Sequence, residues 1–139
     1  MTSEPIDALS EFACNAGSTN KELEKAQHDL GFALPAEYLA FMRMRNGGEG
    51  FIGENYIIIW KAKELAKFNQ EYEVYKYAPG LVLFGSNGGG EGFGFDTRSP
   101  DSVLMVPFIG MELAAAREVA KSFDQFISVL AQRPTDELF

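Results

Sequence analysis

The spacing of apolar residues changes period several times along the chain, and each change marks an element. Thr19-Asn20-Lys21-Glu22 fits a capping box, in which a hydroxyl and a carboxylate satisfy free amides at a helix start. Leu23, Ala26 and Leu30 follow at helical spacing, and Gly31 supplies a left-handed stop. Pro35 opens a second helix at the position that tolerates its missing N–H. Tyr38, Leu39, Phe41 and Met42 give that helix an apolar side, and Asn46-Gly47-Gly48 ends it.

The period then shortens. Tyr56 to Trp60 is β-branched and aromatic and predicts a strand, with Tyr56, Ile58 and Trp60 on one side and Ile57 and Ile59 on the other. A strand apolar on both sides is buried on both or keeps one for a partner; burial on both is the expectation here. Residues 61–77 return to a helical rhythm through Leu65, Phe68 and Tyr72. Leu81-Val82-Leu83-Phe84 and Phe93-Gly94-Phe95, separated by Asn87-Gly88-Gly89-Gly90, read as a hairpin. Val103 to Val106 is a further strand. In residues 111–120 the alanines favour a helix. Ser122-Phe123-Asp124-Gln125 is a second capping box, and Phe123, Phe126, Ile127 and Leu130 fall on one helical stripe.

Helices at both ends of a run of hairpin-like strands indicate an α+β domain, with a mainly antiparallel sheet and helices packed against it. Residues 1–17 are an N-terminal segment in which Ser3 and Pro5 can start a short helix carrying Ile6, Leu9 and Phe12. The domain itself is expected over 18–133, with a tail at 134–139.

A chain of 139 residues has the size of one domain, and its 12 phenylalanines are enough for a core without disulfides or metal. The single cysteine, Cys14, excludes an intramolecular disulfide. No basic start precedes an apolar run, and the longest apolar stretches are too short to span a bilayer. A cytoplasmic location without membrane association is the expectation. The formal charge of -8 repels phosphate backbones and so argues against a general nucleic-acid binder. It suits a basic partner or simple solubility.

Two glycine runs imitate phosphate loops. Gly48-Glu49-Gly50-Phe51-Ile52-Gly53 matches the dinucleotide spacing, but it follows a helix and precedes a strand, the reverse of what pyrophosphate binding needs. It reads as a helix stop and strand entry. Gly85 to Gly90 has P-loop spacing but is followed by Glu91 where a lysine must meet phosphate, so it reads as a turn. His28, the one histidine, and Cys14 lack the further ligands a metal site requires, and no nucleophile elbow is present. No catalytic, cofactor or metal residue is therefore assigned. Paired carboxylates could still hydrolyse a substrate at a suitable separation, so a carboxylate-dependent hydrolase stays as a remote alternative.

Three segments together resemble one family. They are Leu34-Pro35-x-x-Tyr38-x-x-Phe41 with Asn46-Gly47-Gly48, then Phe84-Gly85-Ser86-Asn87 through Gly90-Glu91-Gly92-Phe93-Gly94-Phe95-Asp96, and last Val119-Ala120-x-Ser122-Phe123-x-x-Phe126-Ile127-x-x-Leu130. In this order they resemble the SUKH superfamily, the Smi/Knr-like domain, over most of the chain from Glu22 to Leu130. Residues 111–116 match no segment of that pattern. The resemblance implies an α+β fold, no catalytic residues, and a protein-binding role. In bacteria such a domain is an immunity protein that neutralises a polymorphic toxin, often a nuclease; the fungal counterpart is a regulatory scaffold. With the acidic charge, the expected partner is a basic protein. Glu49, Glu54, Glu91 and Asp96 are the candidate contacts for it, with Tyr72 and Tyr75 as aromatic anchors.

Overall fold

In the computed structural model, which describes residues 9–132, the strands pair in the order in which the chain makes them. They are β1 (Phe12–Cys14), β2 (Gly48–Ile52), β3 (Asn55–Ile59), β4 (Leu81–Ser86), β5 (Glu91–Asp96), β6 (Ser99–Pro107) and β7 (Arg117–Ala120). Every neighbouring pair is antiparallel. The helices are α1 (Asn20–Leu30), α2 (Ala36–Met44), α3 (Leu65–Glu71), α4 (Val74–Tyr77) and α5 (Phe123–Gln132). Short 3-10 turns occupy Ala62–Glu64 and Leu113–Ala115. The domain is α+β.

The start of α1 follows the sequence signal closely. Thr19 Oγ1 accepts the Glu22 N–H at 3.1 Å, and Glu22 Oε1 accepts the Thr19 N–H at 3.0 Å. Hydrogen bonds from the Thr19 backbone and the Ser18 hydroxyl hold the Glu22 carboxyl below its ordinary pKa. Gly31 ends the helix at φ 68°. The second box is modified at α5: Ser122 Oγ accepts the Gln125 N–H, while Gln125 Oε1 takes the N–H of Lys121.

Three expectations change. Residues 1–8, with most of the short helix expected near the start, lie outside the described residues; Phe12, expected on that helix, instead begins β1, buried against the sheet. Gly48 to Ile52 is not a strand entry but a strand, paired on both sides. In residues 111–120 helix propensity yields one 3-10 turn and then β7, because the edge of β6 there offers backbone partners to Arg117, Glu118 and Ala120.

One face of the sheet meets α2 and α5. Ile57, Ile59, Phe93 and Phe95 are buried there, and Phe84 lies among Tyr38, Phe95, Phe123 and Phe126 at ring separations between 4.8 and 5.6 Å. β3 and β4 pair only at Ile58–Ser86 and Ile59–Gly85, after which the strands separate. Asn69 of α3 fills the gap. Its amide donates to the Leu83 C=O at 2.9 Å and accepts the Leu83 N–H at 2.8 Å, which reproduces the bonds of an absent strand.

Tyr38 carries the one buried side-chain polar atom without a hydrogen-bond partner among the described residues. Burial alone pushes its hydroxyl pKa far up. Rings of Phe84, Phe95 and Phe123 surround it. Leaving a hydroxyl dry and unpaired costs about 1–3 kcal/mol. Tyr38→Phe is expected to raise the free energy of unfolding by about 1 kcal/mol in urea denaturation. A loss of stability instead would show that the hydroxyl has a hydrogen-bond partner in solution.

Candidate binding surface

The sheet's other face is only partly covered, and β2 and β3 build it. Residues opposite each other on an antiparallel pair share a face. Ala13, Glu49, Ile58, Ser86 and Gly92 therefore form a row across β1 to β5, with Phe51 and Tyr56 paired beside it. The two-residue turn Gly53-Glu54 sets this register, with Gly53 at φ 63°. Ile57 and Ile59 point into the core, while Tyr56 is exposed and Ile58 half-buried. Burial of both faces of β3, expected from its composition, is thus corrected at Tyr56 and Ile58, while Trp60 just beyond the strand is buried against Phe68 of α3.

Aromatic rings continue the surface beyond the strand. Phe51 meets Tyr56 edge-on at 5.3 Å. Trp60 packs edge-on against Phe68 at 4.9 Å and lies parallel to Tyr72 at 6.1 Å. Tyr72 in turn stacks on Phe108 at 4.3 Å. Phe108 can lie there because position 92 is glycine: a Cβ would come within 3.0 Å of its ring. The turn at Asn87 to Gly90 flanks the patch, with Gly88 next to the Tyr56 and Ile58 side chains. Phe51 is 47% and Tyr72 41% exposed, so both rings present apolar surface beyond their packing contacts.

A cleft of about 540 Å³ opens within this face, lined by Glu49, Ile58, Trp60, Lys61, Glu64 and Phe68 among others. At its rim the Tyr56 hydroxyl donates to Glu49 Oε2 at 2.5 Å, and that bond raises the tyrosine pKa. Glu64 Oε1 accepts the Lys61 N–H.

The candidate contacts read from sequence fall in different places. Glu49 and Tyr72 border this cleft and its ring stack. Glu91 stands at the adjoining turn, where its Oε1 accepts from Asn87 Nδ2 at 2.6 Å. Glu54 is exposed in the β2–β3 turn. Asp96 lies at the far end of β5 from Glu91, gripped by Arg98 Nε at 3.0 Å and Nη2 at 3.2 Å, which holds its carboxyl below the ordinary range. Tyr75 borders a separate cleft of about 340 Å³ with Asp29, Gln70 and Thr97. The structure therefore brings Glu49 and Tyr72 to one side, leaves Glu91 at the adjoining turn on the strand face of Phe93 and Phe95, and sets Asp96 and Tyr75 apart. Phe51 and Phe108 escaped the sequence reading. The alternation Glu49-x-Phe51 was a strand signal, masked by glycines that looked like a loop.

Among the described residues, no group of three or more His, Cys, Asp or Glu could hold a metal ion. His28 and Cys14 are exposed on α1 and β1. The Gly85 to Gly90 run is the β4–β5 hairpin. Asp124, raised by burial and by neighbouring Glu37, stands in the first turn of α5, where Glu37 Oε1 accepts its backbone N–H. Among the described residues no helix is long and apolar enough to cross a membrane.

Seven antiparallel strands in chain order, with helices packed on the sheet and exposed rings of Phe51 and Tyr56 on the partly covered face of β2 and β3, define an α+β domain. The SMI1 / KNR4 family (SUKH-1) matches residues 17–129, and the chain belongs to that family. No curated protein matches the chain.

Proposed function

We propose that this chain is a non-catalytic, cytoplasmic protein-binding domain, an immunity protein that neutralises a bacterial toxin by binding it with the open sheet face. The observation that carries the reading is the set of exposed rings on that face, Phe51 with Tyr56, and Tyr72 packed between buried Trp60 and half-buried Phe108. Aromatic side chains pre-fixed by packing lose little entropy on binding, which makes them good anchors. The formal charge of -8 favours encounter with a basic partner. Membership of the SMI1 / KNR4 family supports a binding role.

The test is protection of cells that express a toxin encoded beside this chain. Wild type is expected to restore growth and to bind the purified toxin. Phe51→Ala combined with Tyr72→Ala should remain folded yet bind about 30-fold or more weakly, as loss of two hot-spot rings predicts. Full protection by that double variant would remove the open face from the interface. A stable cellular partner in cells that carry no such toxin would favour the regulatory-scaffold role instead.

A further inference from the structure

We infer that the cleft beside β3 receives an arginine side chain of the partner protein, its guanidinium at Glu49 and its methylene stem along Ile58 and Trp60. The inference rests on the proposed use of the open face for binding and adds the chemistry of the residue received.

Three features converge on that occupant. The cleft lining includes the apolar side chains of half-buried Ile58 and Phe68 and the edge of buried Trp60, which suit a chain of methylenes. Its lining carries two carboxylates, Glu49 and Glu64, against one lysine, Lys61. The Tyr56 hydroxyl engages Glu49 Oε2 and so fixes the direction of that carboxylate beside the opening. A fixed carboxylate next to aromatic faces fits a guanidinium better than an ammonium, since the planar fork can pair with oxygen while its face lies on a ring. Phe68 already has an ammonium over its ring, that of Lys67 at 5.8 Å, a contact of the same kind. A neutral apolar side chain would fill the floor but leave Glu49 without a counter-charge at a covered interface, which costs affinity. The overall charge of -8 adds the same preference at longer range.

Trp60 is the only tryptophan, so its fluorescence reports on this cleft alone. The probe is a tri-arginine peptide with both ends blocked, set against the tri-citrulline peptide, which keeps the shape and loses the charge. Tri-arginine is expected to give a saturable change in Trp60 emission that weakens with added salt, and tri-citrulline none. Glu49→Gln should weaken the arginine peptide about threefold, the size of one exposed ion pair. Lys61→Gln, by removing the competing charge, should tighten it by a similar factor. Equal responses to the two peptides, no saturable response, or indifference to both substitutions would overturn the inference. Because this titration needs no toxin, its failure is separate from that of the binding surface. Toxin binding that falls in the Phe51 and Tyr72 double variant, with no arginine response, would keep the surface and discard the arginine.

Discussion

Phe84→Ala is expected to lower the free energy of unfolding by about 3–5 kcal/mol, the range for emptying a buried phenylalanine site. Phe84 is fully buried, and its ring touches the rings of four others: Tyr38 from α2, Phe95 from β5, and Phe123 and Phe126 from α5. Its four ring neighbours are themselves fully buried or nearly so. Residues around such a void relax little, so the cavity cost adds to the lost transfer energy. Phe84→Leu should cost clearly less, since it keeps most of the apolar volume. Urea unfolding of the three proteins, with m-values compared, checks both statements. A loss under about 1 kcal/mol for the alanine variant would mean that this ring is not central to the core.

Gly47→Ala, at a glycine that leads into the open face, is expected to cost about 2–4 kcal/mol. Two causes add. At φ 76° the residue sits where a side chain is disfavoured, and a Cβ would lie 2.3 Å from the Ile59 carbonyl oxygen and 2.7 Å from that of Trp60. Both obstacles are backbone and cannot rotate away. Gly31→Ala is the matched control: its φ of 68° is similar, but nothing lies within 4 Å of the added carbon. It should lose only the left-handed backbone preference, about 1 kcal/mol. Equal losses in the two variants, measured by thermal unfolding, would mean that the close approach of Gly47 to β3 carries no energetic weight. The site shares the consequence, because Gly47 leads into the strand that presents Glu49 and Phe51.

Helices with explicit end signals were legible from sequence. The Thr19 box, Gly31 and the apolar stripe of α5 are local features, and each reappears with the expected bonds or burial. The β4–β5 hairpin was equally plain, because its turn glycines flank two apolar runs. What escaped was decided by neighbours distant in the chain. β2 is three-fifths glycine and polar, and it is a strand because β1 and β3 pair with it on either side. β7 prevails over alanine propensity for the same reason. The site was half legible. Glu49 and Tyr72 could be named as candidates, but no periodicity shows that Trp60, Tyr72 and Phe108, spread over nearly fifty positions, stack in one file. Nor does it show that Arg98 already occupies Asp96.

The position of α5 in the order of synthesis sets when this protein can become itself. Each strand finds its partner as soon as the next one is made, so the sheet can assemble progressively as the chain emerges from the ribosome. The aromatic core cannot, because Phe123 and Phe126 belong to the last described helix and the rings they cover were translated long before. The same helix reaches back across the molecule, where its Leu130 C=O accepts from Asn55 at the β2–β3 turn at 2.7 Å. A nascent chain halted before Phe123 would present Phe84, Phe93 and Phe95 to the surroundings on an otherwise formed sheet, a ready substrate for chaperones.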